Sequence, residues 1–164
     1  MIRMMAPARR ELLLFLLPAL GILLVDQLSK FLVRTNLQLG ESLPREGLLR
    51  LTYITNAGGV FGLFVNPSFL LVLTVIVGIV ILFLYLHYLP SGSRLLQMGL
   101  GLVFGGAIGN LIDRLRFGEV TDFIDVRLWG NFHWPAFNLA DSAITIGVFI
   151  LAYCLLFTAL RTKG

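Results

Sequence analysis

The sequence predicts an integral membrane protein that is mainly α-helical, with four transmembrane helices and a small extracytoplasmic β-sheet. Of its 164 residues, 57% are hydrophobic and only 13% are charged, whereas a soluble domain carries about twice that charged fraction. Four apolar stretches are each long enough to cross roughly 30 Å of hydrocarbon, which takes about 20 helical residues. One connection between them alternates as a β-strand does. The length allows a single domain, residues 1–164.

The four predicted helices lie in different sequence surroundings. They span about residues 12–33, 69–89, 95–113 and 139–160. The first has the basic start and apolar core of a signal peptide, but no A-x-A site follows and the helix continues into "DQLSKFLV". We therefore expect it to be retained. The third has a small face formed by Gly101, Gly105 and Gly109, which lets a neighbouring helix approach closely.

Both chain ends are expected in the cytoplasm. With four helices the two ends share a side, and six bases lie in the short flanks on that side. Dense basic charge in short flanks favours the cytoplasmic side. The long connections, about residues 34–68 and 114–138, then lie outside. In the first of them "LLRLTYIT" (48–55) is predicted as a strand, and the Gly-rich turn "NAGGVFG" follows it.

Two clusters of polar residues lie on the predicted helices, where charge is costly. Asp26 and Lys30 in "DQLSK" are spaced i, i+4, so they face the same side of the first helix and are predicted to pair. Asn110, Asp113 and Arg114 share a face of the third helix. Asp113 is expected to use Arg114 as its counter-ion, in a structural cluster at the end of the helix. A direct chemical role for either cluster is the lesser alternative.

Three further acids lie near the predicted outer face. Asn138 and Asp141 lie three residues apart at the start of the fourth helix, as an N-cap residue and the acid of a capping box do. Asp125 has Arg127 two residues on as a neutralising base. Asp122 has no Lys or Arg within four residues, and Asp141 has none within ten. These two carboxylates therefore lack a local counter-ion.

Two unpaired carboxylates that meet at a water–lipid boundary share a proton, because both cannot ionise at low cost. An aspartic protease uses this arrangement: the ionised acid activates water and the protonated acid polarises the scissile carbonyl. The residue pattern alone leaves another class open, a proton- or cation-coupled transporter. A proton relay, however, needs acids at several depths, and all acids except Glu11 lie at or beyond the predicted outer face.

The chain resembles the lipoprotein signal peptidases, the type II signal peptidases of bacteria, over nearly its full length. Five segments match in the family's order: "DQLSK" (26–30), "NAGGVFG" (56–62), "GGAIGNLIDR" (105–114), "VTDFID" (120–125) and "FNLADSAI" (137–144). The second segment departs from the family's N-T-G-A-A-F-G at Ala57, Gly59 and Val60. These changes are between small or apolar residues, and Asn56 is retained.

The resemblance implies a membrane aspartic endopeptidase that cuts the signal peptide from a prolipoprotein, just before a cysteine that carries diacylglyceryl. The rival to this activity is a non-catalytic assembly factor that binds lipoproteins without cutting them. The family's catalytic pair corresponds to Asp122 and Asp141. Its supporting residues correspond to Asp26, Lys30, Asn56, Asn110, Asp113, Arg114 and Asn138. We expect no cofactor, no metal and no nucleic acid. The expected partners are the prolipoprotein and membrane lipids, and the expected state is a monomer in the bacterial cytoplasmic (inner) membrane with its active site at the outer face.

Overall fold

Helices from both halves of the chain pack together and carry a small sheet at one end. The computed structural model describes residues 9–57, 76, 78, 80, 94–130 and 132–161. Its elements are α1 (Arg9–Asn36), β1 (Ser42–Leu43), β2 (Leu49–Asn56), α2 (Arg94–Phe117), β3 (Val120–Trp129), β4 (Phe132–Phe137) and α3 (Leu139–Arg161). The helices predicted at about 12–33, 95–113 and 139–160 are therefore present. The helix predicted at about 69–89 lies outside the described residues, apart from residues 76, 78 and 80, which have helical backbone.

Within the described part of the chain, two helices are long and apolar enough to cross a membrane, namely α1 and α2. The apolar part of α3, Leu139–Cys154, is shorter. Large side chains of α1 such as Leu17, Leu24 and Leu28 are well exposed in the isolated chain. A helix that leaves leucines uncovered on a broad surface fits lipid rather than water as its surroundings.

The central helix is α2, which packs against both α1 and α3. Glycines make the approach to α1 close, as the spacing of small residues predicts. A Cβ atom at Gly105 would lie 2.3 Å from the carbonyl oxygen of Ala19, and one at Gly101 would lie 2.4 Å from that of Phe15. A side chain at either position would collide with the backbone of α1, so these two glycines set the distance between the helices.

We expect Gly105→Ala to lower the thermal unfolding temperature in detergent, because the new methyl group forces α1 and α2 apart and opens their packing. Gly21→Ala is the matched control, since Gly21 lies on α1 and a Cβ atom there would meet no neighbouring atom within 4 Å. That variant should unfold at the same temperature or higher. Equal unfolding temperatures for Gly105→Ala and the unchanged protein would contradict the close approach.

The sheet has four strands in the order β1-β2-β3-β4, and every neighbouring pair is antiparallel. The strand predicted at 48–55 is confirmed as β2. Each long connection supplies two strands: β1 and β2 lie in the first, and β3 and β4 in the second. The segment "FGEVTDFIDV" (117–126) thus forms the end of α2, a turn at Gly118 with φ of 79° and most of β3. This places Asp122 near the start of β3, where the sheet meets the helices.

Candidate active site

Asp122 is buried on β3, with only 3% of its surface exposed. Both of its carboxylate oxygens accept a hydrogen bond from an asparagine side chain. Asn56 Nδ2, at the end of the neighbouring strand β2, donates to Oδ2 at 3.0 Å. Asn138 Nδ2, which follows β4, donates to Oδ1 at 2.7 Å. The end of β2 and the junction between β4 and α3 therefore hold this carboxylate in one orientation.

Asp141 lies in the first turn of α3 and forms the predicted capping box with Asn138. Asn138 Oδ1 accepts from the backbone N–H of Asp141 at 2.9 Å, and the backbone N–H of Asn138 donates to Asp141 Oδ2 at 3.2 Å. A further bond comes from α2, since Asn110 Nδ2 donates to Asp141 Oδ1 at 2.8 Å. The capping interpretation is confirmed, and it leaves the carboxylate facing a cavity.

Asn138 connects the two acids, because its side chain bonds Asp122 and its backbone bonds Asp141. Both acids line one cavity of about 570 Å³. Its polar lining residues are Asn56, Asn110, Arg114, Asp122, Asp141, Ser142 and Thr145, and its apolar wall includes Val120, Trp134, Phe137, Ile144 and Ile146. A mainly apolar cavity with a few convergent polar groups is typical of a substrate site.

Neither acid forms an ion pair with a base within 4.0 Å among the described residues. Burial raises the pKa of Asp122, and the negative charge of Asp141 raises it further. The hydrogen bonds from Asn56 and Asn138 act in the opposite direction, as does the more distant charge of Lys30. The resulting pKa of Asp122 is about 6. This side chain therefore holds a proton more readily than an ordinary aspartate, as a proton-sharing pair requires.

A fully buried cluster around Lys30 supports the site from the helices. Lys30 Nζ lies 2.9 Å from Asp26 Oδ2, so the predicted i, i+4 pair is confirmed. Lys30 also donates to Asn110 Oδ1 at 2.8 Å. Because an ammonium group can only donate, this bond turns the Asn110 amide nitrogen toward Asp141. Asp26 Oδ1 in turn accepts from the backbone N–H of Ala140 at 3.0 Å, which fixes the start of α3.

The expected pairing of Asp113 with Arg114 is wrong. Asp113 instead lies 3.5 Å from both Lys30 Nζ and Arg34 Nη1 of α1. Neighbouring residues on a helix point about 100° apart, so Asp113 faces α1 while Arg114 faces the cavity. Arg114 thus remains beside the two acids of the cavity, where its charge is felt by both Asp122 and Asp141.

The expected pairing of Asp125 with Arg127 is also wrong. Asp125 Oδ2 accepts from the Arg50 guanidinium and from Thr52 Oγ1 of β2, and Oδ1 is 2.7 Å from His133 Nδ1 of β4. Burial alone would raise the pKa of Asp125. The hydrogen bonds from β2 and β4, with the charge of Arg50, outweigh burial and lower that pKa below its usual value. Arg127 instead donates to the carbonyl oxygen of Gly130.

Sequence reasoning missed several residues that complete these networks: Gln27, Arg34, Arg50, Thr52, Thr121 and His133. One signal could have found Arg34, because Asp26, Lys30 and Arg34 recur every four residues and so share a face of α1. The others contact partners on other helices or strands, as Gln27 does with Gly109 and Asp113 of α2. In the described part of the chain, no group of three His, Cys, Asp or Glu side chains could hold a metal ion.

Comparison with known proteins shows which family the chain resembles. The family model described as Signal peptidase (SPase) II matches residues 18–157. A lipoprotein signal peptidase of Moorella thermoacetica is 53% identical and covers 88% of this chain and 94% of its own. That of Desulforapulum autotrophicum is 48% identical, with 83% and 87% covered. That of Geobacillus thermodenitrificans is 38% identical, with 94% and 96% covered.

Two solved structures, each described as a bacterial membrane enzyme, have the same fold. The first has a TM-score of 0.79 and 32% identity, with 87% of each chain covered. The second has a TM-score of 0.75 and 33% identity, with 85% of this chain and 90% of that chain covered. A family model that spans most of the chain, close relatives of nearly equal length and a shared fold lead to one conclusion. The chain belongs to the signal peptidase II family and is a membrane aspartic peptidase.

Proposed function

We propose that this protein removes the signal peptide from diacylglyceryl-modified bacterial prolipoproteins, cutting just before the lipidated cysteine, with Asp122 and Asp141 as its catalytic pair. The observation that carries the proposal is the cavity that both acids line, in which neither of them has a base within 4.0 Å among the described residues. The relatives named lipoprotein signal peptidase support the substrate class.

The hydrogen bonds of the site support a shared-proton mechanism. The ionised carboxylate takes a proton from water as the water oxygen attacks the scissile carbonyl carbon, and the protonated carboxyl donates to the carbonyl oxygen. As the peptide bond breaks, the proton taken from water passes to the amine nitrogen of the cysteine. The proton given to the carbonyl oxygen returns to its carboxylate, which leaves the signal peptide with a new carboxyl group. Each carboxylate oxygen of Asp122 and Asp141 already accepts one hydrogen bond from an asparagine. Each carboxylate oxygen has a second lone pair, which can accept a hydrogen bond from water or hold the shared proton.

The supporting residues have structural roles in this scheme. Asn56, Asn110 and Asn138 orient the two carboxylates. The buried cluster of Asp26, Lys30 and Asp113 joins α1 to α2, and Asp26 also bonds the start of α3, the helix that carries Asp141. Arg114, which lines the cavity, supplies positive charge next to the acids. A cation there offsets the negative charge that develops on the attacked carbonyl oxygen.

The topology proposed with this function has four transmembrane helices, cytoplasmic termini and a monomeric enzyme in the bacterial inner membrane. All four strands lie in the two connections that the basic flanks predict to be outside. The cavity lies where this sheet meets the helices. A substrate held in the bilayer by its lipid and by its signal helix would present its cleavage site at that level.

Reporter fusions test the topology. A fusion at Gly164 should report the cytoplasm and a fusion at Gly130, in the turn between β3 and β4, should report the outer compartment. A cytoplasmic signal from both positions would contradict the helix count.

The function is tested by incubating the purified protein with a diacylglyceryl-modified prolipoprotein and, in parallel, with the same precursor lacking the lipid. We expect release of the signal peptide from the modified precursor only. Binding of the modified precursor without cleavage would favour an assembly factor. Equal cleavage of both precursors would contradict the proposed requirement for the lipid.

A further inference from the structure

We propose that Arg34 and Thr121 form a positioning pair that sets the orientation of Asp122 for the reaction proposed above. Neither residue lines the cavity, so neither is a catalytic residue. We infer that they act on the Asp122 side chain through the peptide that joins Thr121 to Asp122. The inference rests on the proposed function, because the effect it predicts is on the rate of prolipoprotein cleavage.

The backbone N–H, the side-chain hydroxyl and the carbonyl group of Thr121 each form a hydrogen bond with a different partner: α2, α1 and the residue that precedes α3. The backbone N–H donates to Asp113 Oδ2 of α2 at 3.0 Å. The side-chain Oγ1 accepts from Arg34 Nη1 of α1 at 2.8 Å. The carbonyl oxygen accepts from Nδ2 of Asn138, which precedes α3, at 3.4 Å. Thr121 is only 3% exposed, so water does not compete for these bonds.

This three-way attachment fixes the peptide that carries Asp122. Consecutive side chains of a strand point to opposite faces, so Thr121 points to the helices while Asp122 points into the cavity. Movement of Thr121 toward or away from α1 therefore rotates the Asp122 carboxylate relative to Asp141. The ladder with β2 pairs Thr121 with Thr55 and Asp122 with Ile54, and the bonds of Thr121 add the attachment of this part of β3 to the helices.

Arg34 is itself held in place for this contact. Its guanidinium lies 4.5 Å from the centre of the Phe117 ring and 3.5 Å from Asp113 Oδ1. Its side chain is 16% exposed. The planar guanidinium stacks on one face and donates from its edge, which a lysine cannot reproduce. Arg34 thus connects the end of α1 to the start of β3 directly.

Arg116 offers a matched control. Its guanidinium lies over the same Phe117 ring, 5.2 Å from the centre, and it carries the same charge at the same end of the helices. Arg116 is exposed, and it forms no hydrogen bond with Thr121. Arg34→Met and Arg116→Met therefore remove equal charge and a comparable ring contact, but only the first also removes the bond to Thr121 and the ion pair with Asp113. Thr121→Val separates these two losses, because it removes the bond and leaves the ion pair in place.

The test measures kcat and KM for the diacylglyceryl-modified prolipoprotein, per folded molecule, in one detergent. For Arg34→Met we expect kcat to fall about 10-fold with KM within about twofold, because a small displacement of a catalytic group lowers the rate without weakening substrate binding. Thr121→Val, which keeps the shape and loses the hydroxyl, should match it. Thr121→Ser should recover most of the lost kcat, and Arg116→Met should stay within about twofold of the unchanged protein.

The double variant Arg34→Met/Thr121→Val should be no slower than either single variant, since both remove the same bond. If Arg34→Met does not fold, Thr121→Val and Thr121→Ser decide the question alone. Normal kcat in Thr121→Val, or equal losses in the Val and Ser variants, would overturn the positioning pair and leave the proposed function intact. Failure of the unchanged protein to cleave the precursor would instead overturn the proposed function, and with it this inference.

Discussion

Asparagine in place of either Asp122 or Asp141 should reduce turnover by at least about 100-fold, because a general acid–base group contributes that much or more to a rate. An amide can neither take the proton of the attacking water nor hold the shared proton. The fold should survive. At position 141 asparagine keeps one oxygen to accept the N–H of Asn138, so the capping loss is on the order of 1 kcal/mol or less.

The double variant Asp122→Asn/Asp141→Asn should be scarcely slower than either single variant, because groups that act as one unit are not additive. The control is Glu46→Gln, which removes a carboxylate that is exposed in the connection between β1 and β2. It should cleave normally. Asp125→Asn is a poor control, since Asp125 is buried and joins three strands. Cleavage and thermal unfolding are measured on the same preparations, and near-normal cleavage by either single variant would rule out the catalytic pair.

The features that the sequence predicted correctly are those formed between residues a few positions apart. A capping box and an i, i+4 ion pair are set by helix geometry within one turn. Asn138 with Asp141 and Asp26 with Lys30 therefore lie where the spacing predicts. The same is true of Gly105, whose small size allows α1 to approach. These features need no knowledge of the rest of the fold.

The wrong pairings share one cause, which is the choice of the nearest base in sequence. Asp125 pairs with Arg50, a residue 75 positions away, because the antiparallel register places Arg50 opposite Asp125. Asp113 pairs with bases of α1 because its neighbour Arg114 points elsewhere on the helix. Strand register and helix rotation are properties of the assembled fold. The nearest base in the sequence therefore does not predict which base neutralises a buried carboxylate.

Sequence spacing could not predict that Asp122 and Asp141 line the same cavity. It did distinguish them from the other acids, because neither has a Lys or Arg close by in the sequence. The absence of a nearby base identifies a carboxylate whose ionised form is unfavourable when it is buried. It does not indicate whether two such carboxylates lie close together in the fold. That depends on Asn138, which lies at the junction of β4 and α3 and bonds both acids. Its double role follows from the turn between strand and helix, which the sequence alone did not specify.

Lys30→Met should lower the unfolding temperature by about 10 °C, because breaking a buried ion pair typically costs about 3–5 kcal/mol. Lys30 is fully buried and lies 2.9 Å from Asp26, which is also fully buried. Methionine has a similar length but leaves Asp26 and Asp113 without the charge of Lys30. Among the described residues, Asp113 then keeps Arg34 at 3.5 Å as its base. The Asn110 amide also loses the donor that sets its orientation.

A second substitution separates charge from packing in this cluster. If the cost of Lys30→Met is the uncompensated charge, adding Asp26→Asn should recover a large part of the lost unfolding temperature, since asparagine keeps an oxygen for the N–H of Ala140. If the cost is lost packing, the double variant should be no more stable than the single one. Arg10→Met, at an exposed position of α1, controls for the loss of one positive charge and should unfold as the unchanged protein does.

Because Lys30 acts through Asn110 rather than on the substrate, the folded fraction of Lys30→Met should retain measurable cleavage. Complete loss of cleavage in a well-folded preparation would give Lys30 a direct part in the chemistry.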